Sequence, residues 1–220
     1  MKIAILLAGP YRGNQTIIDN HLRIVGNYDT YVSCFEHYKQ DWINSGWPIK
    51  KIFITPNIDF KETNWAKHRS DDPGQSGFWQ FWNLKNVINN IEEDYDWYIK
   101  SRCDLDFQSG ELSEYFFSTL EPNILYTSIH RLVVGAPDLS LVNDQFYIAD
   151  SKVMDIISKF PTKYYNQKRN DSPVSNERSL TFWLAENGVN IKKIQDISYN
   201  KNYNGITTPS GVSGFQLEKI

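Results

Sequence analysis

The sequence predicts an α/β fold in which a mostly parallel, twisted sheet is flanked by helices. Three observations carry this. The first third of the chain alternates apolar runs of strand length with segments of helical period, reading β-α-β-(α)-β. The apolar runs are continuous, as in strands covered on both faces. A later run, "DWYIKS" at 96–101, ends in two acids one residue apart, where a parallel sheet presents its ligand-binding loops. The 220 residues suit a single domain, 1–220, with a full hydrophobic core.

The elements follow in order. Residues 2–8 form the first strand. The apolar run from Ile3 to Ala8 is too short for a signal peptide, and it ends in a Gly/Pro turn with an arginine. "QTIIDNHLRIVGN" is predicted helical, with Ile17, Ile18, Leu22 and Ile24/Val25 on one stripe. "YDTYVSCF" (28–35) and "KKIFIT" (50–55) are the second and third strands. Residues 56–75 have no period, and a loop of that length points to function. Residues 76–94 are predicted helical with Ser76 as N-cap. After the acids, "SGELSEYFFSTL" is predicted helical, and "NILYTS" and "RLVVG" are strands around His130. "DQFYIADSKVMDIISKF" is a strand entering a helix. Residues 172–188 form another helix, with Gly188 as its C-cap, and "VNIKKI" a late strand. The last 25 or so residues read as irregular.

Composition excludes several classes. A net charge of −3 argues against a general nucleic-acid or anionic-membrane binder. No segment has the length of a transmembrane helix. Cys34 and Cys103 lie in no CxxC or Cys/His pattern, which argues against zinc and for a reducing, cytoplasmic setting. Aromatics are frequent (7 Trp, 13 Tyr and 12 Phe); most belong to the core, and some excess is expected where sugars or bases stack.

Two Asp-x-Asp triplets occur, and position separates them. Asp94 and Asp96 precede their strand and solvate a helix-to-strand corner. Asp104 and Asp106 follow it, at the sheet's carboxyl edge. In an extended segment these two point to one side. Like charges there repel unless a cation joins them, and a hard divalent ion sharing its shell with diphosphate suits the pair. The alternative is a solvated surface.

The motif "RCDLDF" after "YDWYIKS" resembles the DxD signature of nucleotide-sugar glycosyltransferases with the GT-A fold. The ordered set "GPYR" (Gly9, Arg12), "YDTYVS" (Tyr28 to Ser33), "RCDLDF" (Arg102 to Phe107) and "NDQF" (Asn143 to Phe146) is similar to small transferases of bacterial surface-polysaccharide clusters and large DNA viruses. The resemblance implies a GT-A-type sheet. It also implies metal-dependent transfer of a hexosyl or deoxyhexosyl group from a UDP- or GDP-linked sugar to a hydroxyl of a glycan or lipid-linked acceptor. Mn²⁺ or Mg²⁺ is then held by Asp104 and Asp106, and the donor by Ala8, Gly9, Arg12, Arg102 and Asp104. Asp144, at the head of an apolar strand, is the implied general base and Glu177 the second candidate.

Each residue has a plainer reading. Arg12 is either a phosphate or base contact or a surface arginine after a turn. Arg102 either neutralises the acids, touches diphosphate, or pairs structurally with Asp29 or Glu36. Asp144 fits a turn-forming Asn-Asp pair, and Glu177 fits a helix N-terminus. His68 and His130 have no partner at metal-ligand spacing, and no histidine follows His130 to complete a metal site. Phe78, Trp79 and Trp82 have core spacing, which leaves Trp65 as the stacking candidate. Two rivals remain. One is a sugar-nucleotide nucleotidyltransferase, which also uses paired carboxylates but usually opens with a longer Gly-rich loop than "GPYRG". The other is a noncatalytic glycan-binding module.

Overall fold

The computed structural model describes residues 1–57, 75–127, 132–133, 136–140, 142, 144–160, 176–194, 198–203 and 206–210; for 75–78, 132–133, 136–140, 176–178, 198–203 and 206–210 this means the backbone. The chain runs β1 (Ile3–Ala8), α1 (Gln15–Val25), β2 (Asp29–Cys34), a 3₁₀ turn (Glu36–Tyr38), α2 (Lys39–Ile43), β3 (Ile49–Ile54), α3 (Gln75–Asn90), β4 (Trp97–Ser101), β5 (Leu105–Ser109), α4 (Glu114–Ser118) and β6 (Ile124–Thr127). It continues through β7 (Leu132–Val133), β8 (Ala136–Ser140), β9 (Tyr147–Asp150), α5 (Ser151–Ser158), α6 (Asn176–Glu186), β10 (Asn190–Lys193), β11 (Ser198–Tyr203) and β12 (Ile206–Ser210).

Seven strands form the central sheet in the order β10-β6-β9-β4-β1-β2-β3. β9 runs antiparallel to both neighbours, and the other pairings are parallel. The predicted mostly parallel sheet with flanking helices is therefore what forms. β1 has buried residues on both faces, which is why its sequence is a continuous apolar run. Ile3, Ile5 and Leu7 join one core with Ile18, Ile24 and Val25 of α1. Ala4 and Leu6 join the other with Leu84 and Val87 of α3, Val153 and Met154 of α5, and Leu180 and Leu184 of α6.

This division of helices follows from connection handedness. From β1 the chain steps outward to β2 and β3, then returns to place β4 on β1's other side. Right-handed crossovers made in opposite directions set their helices on opposite faces. The carboxyl ends of β1 and β4 thus flank a topological switch point, where open α/β sheets hold ligands.

Four strands were not legible in the sequence, and one of them, β8, pairs antiparallel with β7. β5, β11 and β12 form a second, antiparallel sheet in the order β12-β11-β5. The expected helix at 109–120 shortens to α4 behind β5, and the C-terminal stretch expected to be irregular contains a strand pair. Ser76 lies inside α3 rather than ahead of it. Most of the long loop, residues 58–74, lies outside the described residues, with Trp65 and His68; His130 lies outside them too.

α1 is capped at both ends. The Asn14 side chain accepts from the Ile17 amide at 3.0 Å, and the Gly26 amide donates to the Leu22 carbonyl at 3.1 Å. Gly26 has φ +103°, and a Cβ there would lie 2.5 Å from the Tyr28 ring, whose hydroxyl donates to the Leu112 carbonyl at 3.0 Å. Gly26→Ala is expected to destabilise the fold by about 1–3 kcal/mol from backbone strain alone, with the clash added. Urea unfolding measures it, and an unchanged midpoint would contradict the stated role of this turn.

Candidate functional site

At the switch point the loop after β1 and the turn after β4 are joined. The Arg12 amide donates to Cys103 Sγ at 3.2 Å, and the Cys103 thiol lies 3.5 Å from the Pro10 carbonyl. The backbones approach so closely at Gly13 that a Cβ there would sit 2.7 Å from the Cys103 carbonyl oxygen. The loop is also held from behind. Gly9 donates to the Ser33 carbonyl at 2.8 Å and accepts from the Trp42 indole at 2.9 Å. Ala8 ends the strand, half-buried, and the Arg12 side chain is exposed.

Cys103 is a joint rather than a nucleophile. Burial, with the negative charge of Asp104 beside it, pushes its thiol up to about 12. Arg12 and Arg102 both pull in the other direction, which puts the two guanidinium groups within electrostatic reach of one sulfur.

The turn itself disperses the two acids. Strand geometry ends at Ser101 and resumes at Leu105, so Asp104 lies in a turn, closed by the Leu105 amide on the Arg102 carbonyl at 3.4 Å. The i, i+2 rule for extended chain does not apply across it. Asp104 is 1% exposed and accepts twice from one guanidinium: Arg102 Nε to Oδ1 at 2.8 Å and Nη2 to Oδ2 at 2.6 Å. Asp106, one residue into β5, instead accepts from Asn20 of α1 at 2.8 Å. Asp104 and Asp106 are thus engaged by different partners, and a divalent ion shared between them would compete with the Arg102 fork for the Asp104 oxygens. Among the described residues, no three His, Cys, Asp or Glu side chains cluster as a metal site.

The structural partners suggested for Arg102 are engaged elsewhere, Asp29 with Lys50 at 2.8 Å and Glu36 with Lys39 at 3.6 Å. Asp104 holds the Arg102 guanidinium firmly charged against the cost of its burial, and Asp144 adds to that pull. Asp144 is itself buried, and its position is set by backbone contacts. Its carbonyl accepts from Gln80 of α3 at 2.7 Å and from the Lys100 ammonium, which also reaches the Gln145 carbonyl at 3.3 Å. The site therefore brings Arg12, Arg102, Asp104 and Asp144 into one neighbourhood and leaves Asp106 against α1. Glu177 falls in the first turn of α6.

Two contributors were not foreseen. Lys100 is fully buried in β4 and ties segment 144–145 to the sheet; a lysine inside the apolar run "WYIKS" was its signal. His21 sits on the apolar stripe of α1, with Nε2 3.1 Å from Ser101 Oγ and its ring edge-on to Trp47 and Phe107.

No protein-family model matches the chain, and no curated protein matches it. Solved structures do. One is named a CMP:2-keto-3-deoxy-manno-octonic acid synthetase complexed with CTP, with 14% identity, a TM-score of 0.44, and coverage of 88% of this chain and 89% of that one. Another is a 4-diphosphocytidyl-2C-methyl-D-erythritol synthase from Anaerococcus prevotii, with 11% identity, a TM-score of 0.47, and coverage of 96% and 91%. At these identities the likeness is one of fold. Neither bears a glycosyltransferase name, and the glycosyl transfer expected from the motif resemblance is corrected accordingly. Asp104 and Asp106, the acid pair in the expected metal site, are held by different partners, Arg102 and Asn20. No helix among the described residues is long and apolar enough to cross a membrane.

His21 gives the site's anchoring a pH signature. Burial lowers its pKa from 6.5 to about 3, so between these values the unfolded chain binds a proton that the folded chain refuses. Its contribution to stability is full above the unfolded value and declines as pH falls toward the folded one, by up to about 1.4 kcal/mol per pH unit. Urea unfolding between neutral and mildly acidic pH is expected to show this slope in the wild type and to lose it in His21→Gln. The same slope in both proteins would assign it to other groups.

Proposed function

We propose that the chain is an enzyme that binds a nucleoside triphosphate at the β1/β4 switch point and transfers the nucleotidyl group to a sugar-type substrate. This is the reading first held as the rival to glycosyl transfer. The observation that carries it is the joint between the two switch-point loops, Arg12 amide to Cys103 sulfur, with two arginines around it. "GPYRG" is shorter than the Gly-rich loops usual for this chemistry. The β4 turn offsets this by supplying a second arginine, Arg102, from the opposite side.

In the proposed reaction an acceptor oxygen attacks the α-phosphorus, a new P–O bond forms, and the α–β bridge breaks to release pyrophosphate. Negative charge grows on the leaving group, and Arg12 and Arg102 offset it. Ala8 and Gly9 bring the β1 backbone up to the nucleotide. Where the acceptor is a hydroxyl, Asp144 is the proposed group that takes its proton, with Glu177 the second candidate. Mg²⁺ or Mn²⁺, entering with the triphosphate, would supply further charge neutralisation. The proposed partners are thus a nucleotide and a sugar-type acceptor.

Calorimetric titration with CTP, UTP, GTP and ATP tests the reading. One or more should bind, and Arg12→Ala should weaken the best of them by about 10- to 100-fold, the loss of one charge-assisted contact. Unchanged affinity in Arg12→Ala would remove the β1 loop from the nucleotide site.

A further inference from the structure

The geometry points to a role for Asp104 other than holding a cation: it is a positioning residue that fixes the Arg102 guanidinium as a built-in anchor for a phosphate chain. This rests on the nucleotide reading above and specifies how its β4 side works. The two contacts from Arg102, at 2.8 and 2.6 Å, lie on the edge of the guanidinium formed by Nε and Nη2. A planar fork gripped on one edge turns its remaining N–H donors away from the carboxylate, and those donors have the geometry that phosphate oxygens accept. The Arg102 side chain keeps 19% exposure while that of Asp104 keeps 1%, so the acid is the hidden half of the pair and the base the presented half.

Three further facts fit an anchor better than a cation site. The pair spans a single turn that the Leu105 amide closes on the Arg102 carbonyl, so the guanidinium orientation is fixed by local chain geometry. The Arg12 amide bonds Cys103 Sγ at 3.2 Å, so the loop that carries a second positive charge lies against this turn. A divalent ion placed on Asp104 would stand against the Arg102 guanidinium, a like charge already held by both carboxylate oxygens. A lysine at 102 would not substitute, since an ammonium lacks the planar fork.

The test uses inorganic pyrophosphate as probe, titrated calorimetrically in EDTA into wild type, Arg102→Ala, Asp104→Asn and the double variant, with folding checked by circular dichroism. Wild type should bind without metal. Arg102→Ala should weaken binding about tenfold or more. Asp104→Asn should weaken it in the wild-type background and add nothing once Arg102 is gone, because it acts through that side chain. An equal loss from Asp104→Asn in both backgrounds overturns the inference, as does wild-type binding that requires Mn²⁺. If the variants do not fold, the wild type decides by binding in EDTA or only with Mn²⁺. Wild-type protein that takes pyrophosphate under neither condition rejects the nucleotide reading itself, a result distinct from metal-dependent binding.

Discussion

The carboxyl edge of the sheet depends on how the chain leaves β4. A turn of three residues, closed by the double contact between Arg102 and Asp104, takes the backbone out of the central sheet and into the second one. The same turn presses Cys103 beneath the β1 loop and leaves the Arg102 side chain partly exposed. A buried carboxylate left without its partner typically costs about 3–5 kcal/mol, so the pair ties local stability to the shape of the site. Gly13 completes the constraint from the other side, because its lack of a Cβ lets the two loops touch.

Helix placement acts on the same region from a distance. α1 lies on one face and is fixed to the end of β4 through His21 and Ser101. α3 lies on the other, where Asn83 accepts from Thr55 at 2.6 Å, Thr55 and Ser33 share a hydrogen bond at 2.7 Å, and Gln80 holds the Asp144 carbonyl. The polar groups that reach the carboxyl edge are thus braced by hydrogen bonds from both layers. A site that stabilises developing charge needs donors already oriented before the reaction.

Most of the central sheet was legible because its strands are buried on both faces and therefore written as apolar runs. β11 was not: "SYNKNY" carries no apolar alternation, and its strand character comes from pairing with β5 and β12 across long sequence separations. The location of the site was legible from one rule, that acids after an apolar strand stand at a carboxyl edge. Its chemistry was not, because spacing in Asp104-Leu-Asp106 fixes a shared side only if the chain stays extended. The signal that opposes extension was present as Arg102, two residues before Asp104 and able to close a turn on it. His21 shares its helical stripe with Ile17, Ile18, Ile24 and Val25, a spacing that marks it as a core residue.

The central claim is that the β1 loop and the β4 turn are two walls of one nucleotide site. Amide hydrogen exchange, measured with and without a saturating nucleoside triphosphate, addresses it most directly. The joined geometry predicts slower exchange in residues 9–14 and in residues 101–105 together. Protection of one segment without the other, or protection confined to the far edge of the sheet around β10, would contradict it.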